Sequence, residues 1–165
     1  YVPVPIVERL HGQLAEDAHK LAEGGVNFWD CFQLVPVGAQ FWHAGILFDV
    51  FPVSHHGYRA AFGIGLKGRF VYTGDTRPIP DVLEHFAAAG ETVFHDCAWR
   101  GNPSHTGLAD LQASYPAGLR ERMVLYHYES AKAASVLRAA GYRVAEAGEA
   151  FELPDATVPR LRRVV

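Results

Sequence analysis

The stretch Arg69-Phe70-Val71-Tyr72-Thr73-Gly74-Asp75-Thr76-Arg77-Pro78 is where the chain changes character. It begins as a short apolar strand, Arg69 to Thr73. It then breaks at a glycine and presents a carboxylate, Asp75, where the backbone can turn sharply. Before it the sequence reads mainly as strands: Cys31 to Val37, Gln40 to His43, Ile46 to Val53 and Ala60 to Ile64. The run Gly65-Leu66-Lys67-Gly68 suits a hairpin. After it helices alternate with strands. Pro80 to Ala89 predicts a helix stopped by Gly90, Thr92 to Cys97 a strand, Leu108 to Tyr115 a helix, and Met123 to Tyr128 a strand. Ser130 to Ala140 predicts a helix stopped by Gly141, and Tyr142 to Leu153 a closing strand or strand pair. Ile6, Leu10, Leu14, Ala18 and Leu21 recur at helical spacing and predict a first helix over 4–22, ended by Gly24-Gly25. The tail from Pro154 to Val165 is left as a solvated end or an edge strand. A strand-rich half followed by βαβα predicts an α/β (α+β) fold, a sheet covered by helices.

Length and composition set the frame. A chain of 165 residues, 49% hydrophobic, can bury one real core. The net charge is −3 with histidine neutral, which argues against a general polyanion binder and disfavours a nucleic-acid partner. No apolar run approaches a membrane span, and no secretory leader pattern is visible. Two cysteines, Cys31 and Cys97, are too few for a disulfide framework, so a reduced, cytoplasmic protein is the expectation. The first residue is Tyr1 and the single methionine is Met123. One domain over 1–165, incomplete at its front, is therefore expected.

Nine histidines are the unusual count. His55-His56 follow the strand Ile46–Val53, Asp75 follows Arg69–Thr73, and His95-Asp96 fall within Thr92–Cys97. His127 sits in the strand ending at Tyr128, and His105 just precedes a helix. Ligands of such sheets collect in the crevice at the carboxyl ends of strands. Taken singly each residue has a bland reading. Strand-end histidines are usually surface groups, Asp75 can simply cap a turn, and His95 suits a satisfied core histidine. His11, His19, His43 and His85 have no carboxylate or cysteine at ligand spacing and read as structural. As a set, imidazoles and carboxylates from separate strands suit zinc, manganese or iron. His105 and Asp96 make a candidate proton-transfer pair, in which the carboxylate orients the ring and raises its basicity.

Several short strings also carry a resemblance. Pro52-Val53-Ser54-His55, Gly57-Tyr58-Arg59 and Val71 to Pro78 resemble the metallo-β-lactamase superfamily, nearest its ribonuclease Z and phosphodiesterase branch. Phe94-His95-Asp96-Cys97-Ala98, Ser104-His105-Thr106 and Leu125-Tyr126-His127-Tyr128 resemble further motifs of that branch in order. The resemblance implies an αββα sandwich of which this chain is the C-terminal part. It implies two divalent metals, zinc first and manganese or iron as alternatives, held by His55 (or His56), Asp75 and His127. Asp75 would bridge the two, and Asp96 and His105 would be the acid–base pair. The His-x-His-x-Asp-His signature is absent, so an N-terminal half or another chain would complete the site. The isolated chain is then expected to be inactive and to associate with itself or with a partner. The function implied is hydrolysis of phosphodiesters such as cyclic nucleotides. Lactone, thioester or β-lactam hydrolysis is a second reading, and a non-catalytic half-domain a third.

Overall fold

Seven strands run side by side in one mixed sheet, and its parallel half carries the groups of chemical interest. The computed structural model describes residues 1–14, 32–57 and 59–153. A two-stranded parallel pair, β1 (Val2–Pro3) with β2 (Pro36–Val37), is joined by helix α1 (Val4–Leu14) and the segment after it. The main sheet follows: β3 (Gln40–His43), β4 (Ile46–Pro52), β5 (Phe62–Leu66), β6 (Phe70–Tyr72), β7 (Thr92–Asp96), β8 (Met123–Tyr126) and β9 (Arg143–Val144), in that spatial order. Strands β3 to β6 pair antiparallel, each with the next in sequence. From β6 to β9 all pairs are parallel. Parallel neighbours need crossovers, and α2 (Pro80–Phe86), α3 (Leu108–Ser114) with α4 (Ala117–Arg120), and α5 (Ala131–Ala139) supply them. The architecture of the described residues is thus mixed α and β.

The core lies between these helices and one face of the sheet. Phe51, Val71, Val93, Met123 and Leu125 point to that face and meet Leu83, Leu111, Leu119 and Leu137 from the four helices. Alternate strand residues, Phe70, Tyr72 and Phe94 among them, fall on the opposite face. Tyr72 remains 42% exposed there and stacks on Tyr126 at 5.0 Å. Ser130 caps α5 by accepting from the Ala133 amide, and Pro80 opens α2. No described helix is long and apolar enough to cross a membrane.

Several predicted bounds need correction. The first helix is described only to Leu14, and its expected continuation to residue 22 lies outside the described residues. The strand expected over Cys31–Val37 pairs only at Pro36–Val37, because just two residues run alongside β1. The strand expected from Ala60 starts at Phe62 and runs on to Leu66, so the turn contains three residues before β6. The closing strand expected over Tyr142–Leu153 shrinks to Arg143–Val144, where pairing with β8 stops and a turn at Gly148 follows. Helix α4 was not foreseen. Its four residues are too few for apolar periodicity to show. The tail 154–165 lies outside the described residues.

Candidate metal and acid–base site

The register of the parallel strands brings three chain segments to one place. Tyr72 pairs with Phe94, and Asp96 pairs with Tyr126. Asp96 therefore ends β7 beside the last residue of β8, His127 follows at once, and Asp75 lies just past β6. Two left-handed backbone positions shape the turns. Gly74 has φ 63°, and a β-carbon there would stand 3.3 Å from the Phe62 carbonyl. His127 has φ 65°, a conformation that costs a non-glycine residue roughly 1–3 kcal/mol and is tolerated chiefly at functional sites. The Gly74 carbonyl is held by the hydroxyls of Tyr126 (2.6 Å) and Thr73 (2.7 Å), which fixes the chain entering Asp75.

Asp96 is the centre of the site. Its side chain has no solvent exposure. Oδ2 accepts from the Thr76 amide at 2.9 Å and from His105 Nδ1–H at 2.7 Å. Burial pushes its carboxyl above the usual range, and the Thr76 amide and His105 oppose that push. Oδ1 is buried with no hydrogen-bond partner among the described residues. His127 Nδ1 stands 3.6 Å from it, and His127 Nε2 stands 3.8 Å from Asp75 Oδ2. The rings of His105 and His127 stack at 4.6 Å, inclined by 10°. Donor atoms of Asp75, Asp96, His105 and His127 all lie within 4.8 Å of one another, so this cluster could hold a metal ion. The fit rests on that buried, unpartnered carboxylate oxygen, whose isolation a cation would relieve.

His55 and His56 stand at the margin. His55 Nδ1–H donates to the Ser104 carbonyl at 3.0 Å, and its ring packs 4.9 Å from that of His105. His56 is exposed, has φ 56° and places its ring 3.9 Å from that of His55. Neither belongs to the four-residue cluster. Of the histidines read as structural, His43 meets the Tyr1 hydroxyl at 3.3 Å and His85 packs on Phe86. His19 lies outside the described residues. Cys97 is buried, and burial pushes its thiol up to about 12, which leaves it inert at neutral pH. Sequence reasoning passed over Thr76. Its amide holds Asp96, its hydroxyl accepts from the Ser54 amide at 3.1 Å, and its carbonyl accepts from the Thr106 amide at 2.9 Å. The only signal was its place directly after Gly74-Asp75.

A family model described as Anti-Pycsar protein Apyc1 matches residues 1–151. No protein among those of curated function matches the chain. The chain belongs to the Anti-Pycsar protein Apyc1 family. This overturns the assignment to the metallo-β-lactamase superfamily and its ribonuclease Z branch, and with it the reading of the chain as a hydrolase of that superfamily. The reason is physical. A glycine before a strand-end acid, and a histidine beside serine or tyrosine, are what many carboxylate–imidazole sites need. Strings of three or four such residues report chemistry rather than lineage.

Proposed function

We propose that this member of the Anti-Pycsar protein Apyc1 family acts as a metal-dependent phosphodiesterase on a nucleotide-type substrate. The observation that carries the reading is the divided use of Asp96, one oxygen holding His105 and the other left unpartnered toward His127. Asp75 and His127 would hold a divalent cation, with Asp96 Oδ1 turned to the same space. Two carboxylates and an imidazole suit zinc, manganese or iron. A cation bound there supplies polarisation of a phosphoryl oxygen and acidification of water.

The chain's own residues would do the rest. Asp96 fixes His105 with Nδ1–H directed inward, so its Nε2 faces outward free of any hydrogen bond among the described residues. His105 carrying a proton on Nε2 would give it to the departing oxygen as that P–O bond breaks, while the attacking water bonds to phosphorus through its oxygen and loses a proton to solvent. Alkoxide leaving groups gain most from this, which favours phosphodiesters over more activated esters. Few ligands among the described residues face the cation, so further donors would come from a partner chain or a second copy. The test therefore uses the protein in its native assembly.

The test is turnover of a 3′,5′-cyclic nucleotide by that protein with zinc or manganese, followed by 31P NMR. Ring opening to a monoester that stops with chelator and returns with metal is expected. Metal-loaded protein that leaves the cyclic diester intact would overturn the reading.

A further inference from the structure

Behind the site, on the helix side of the sheet, lies a buried polar chain that the proposed chemistry does not use directly. His95 has no solvent exposure, and both ring nitrogens are engaged. Nδ1 is 2.6 Å from the Asp96 carbonyl, and Nε2 is 2.8 Å from the Tyr115 hydroxyl. A carbonyl only accepts, so Nδ1 carries the proton, and Nε2 of the neutral ring accepts a hydrogen bond from the tyrosine hydroxyl. The Tyr115 oxygen in turn accepts from the Ile79 amide at 2.7 Å. Every member has one possible direction, running from Ile79 through Tyr115 and His95 to Asp96.

These four residues come from the parts that build the site. Ile79 ends the segment carrying Asp75 and Thr76, Tyr115 ends α3, and His95 and Asp96 end β7. Filling the core needs only volume at this position; what the imidazole adds is two hydrogen bonds, one to the Asp96 carbonyl and one from the Tyr115 hydroxyl. The benefit falls on Asp96. Its carbonyl meets the His95 ring, and its side chain meets Thr76 and His105.

We infer that His95 and Tyr115 are positioning residues, a buried latch that fixes the Asp96 peptide and so holds the Asp96–His105 pair in line for proton transfer. The inference rests on the proposed phosphodiesterase reading. Burial keeps the imidazole neutral, consistent with a latch that does not itself exchange protons. Tyr115 keeps its ring in the core, so Tyr115→Phe removes only the hydroxyl.

The experiment uses the full-length protein carrying Tyr115→Phe or His95→Asn, the second keeping an amide donor near the Asp96 carbonyl but losing the link to tyrosine. Each variant should lose on the order of 10–100-fold in kcat, the range for groups that orient a site side chain. KM and metal content should stay unchanged. The loss should be larger on an alkyl phosphodiester than on bis-p-nitrophenyl phosphate, because the latch acts through the leaving-group acid. Equal losses on both substrates, or unchanged kcat with lower melting temperature, would make the pair merely structural and overturn the inference. Nitrogen-15 NMR of the His95 ring provides a readout independent of turnover. A proton on Nδ1 is expected in the wild type, and a proton on Nε2 overturns the latch. An inactive wild type with the ring proton on Nδ1 would sink the phosphodiesterase reading, and the catalytic role of the latch with it, while leaving the hydrogen-bond chain intact.

Discussion

His105 Nδ1 stands 2.7 Å from Oδ2 of Asp96, a carboxylate wholly removed from solvent while the imidazole keeps 18% of its side-chain surface exposed. One partner is fixed by burial and the other reaches the surface, an asymmetry suited to moving a proton between a rigid acceptor and a bound substrate. His105→Ala should therefore lower kcat by ~100–10,000-fold, the usual contribution of a general acid or base, with bound metal retained. The loss should shrink on p-nitrophenyl esters, whose leaving group needs no proton. Metal analysis beside kinetics on both substrates checks this.

Asp75 separates a ligand from a turn cap. If its carboxylate faces a cation, Asp75→Asn should empty the site and abolish turnover, because an amide brings no charge. A turn cap predicts the opposite. Asn replaces Asp at such positions almost without penalty, and even losing a cap costs only ~0.5–2 kcal/mol. Metal content and melting temperature of Asp75→Asn distinguish the two.

His95 makes stability depend on pH. Burial lowers its pKa from 6.5 to about 4, so the unfolded chain binds its proton more readily between those values. The stabilisation is full above about pH 6.5 and is lost as pH falls toward 4, roughly 3 kcal/mol over the whole window. Melting temperature should fall from pH 7 to 4.5, and fall less steeply in His95→Gln.

Gly107 and Gly101 cross backbone to backbone in the loop that carries Ser104 and His105. A β-carbon on Gly107 would meet Gly101 Cα at 2.7 Å and the Arg100 carbonyl carbon at 3.0 Å. Gly107→Ala should cost ~1–3 kcal/mol, the usual penalty of overpacking, and reduce kcat by displacing His105. Gly118→Ala, with nothing within 4 Å, should be neutral or stabilising. Thermal melts of both variants make the comparison.

Much of the architecture was legible. Leu108, Leu111 and Tyr115 recur at helical spacing, and Val71, Val93 and Leu125 sit in short apolar runs. Local pattern and turn residues alone placed α2, α3, α5, β7 and β8 to within a few residues. The edges were poorly legible because pairing, not propensity, decides them. Pro36–Val37 and Arg143–Val144 are strands only where a neighbour runs alongside. The family was misread because short site motifs carry chemistry without ancestry.

What the sequence by itself determined is which residue types stand at the ends of the strands: Asp75, Asp96 and His127, each following an apolar run that burial forces into the sheet. Tertiary structure decided which of them meet. The parallel register sets Asp96 against Tyr126 and so beside His127. The path of the loop after β7 returns His105 to Asp96, and Thr76 reaches the same carboxylate from 20 positions away. The same folding left His55 outside the cluster and joined His95 to Tyr115. Such contacts depend on strand alignment and loop closure over tens of residues. Local sequence pattern, whose periods span only a few positions, does not encode those distances.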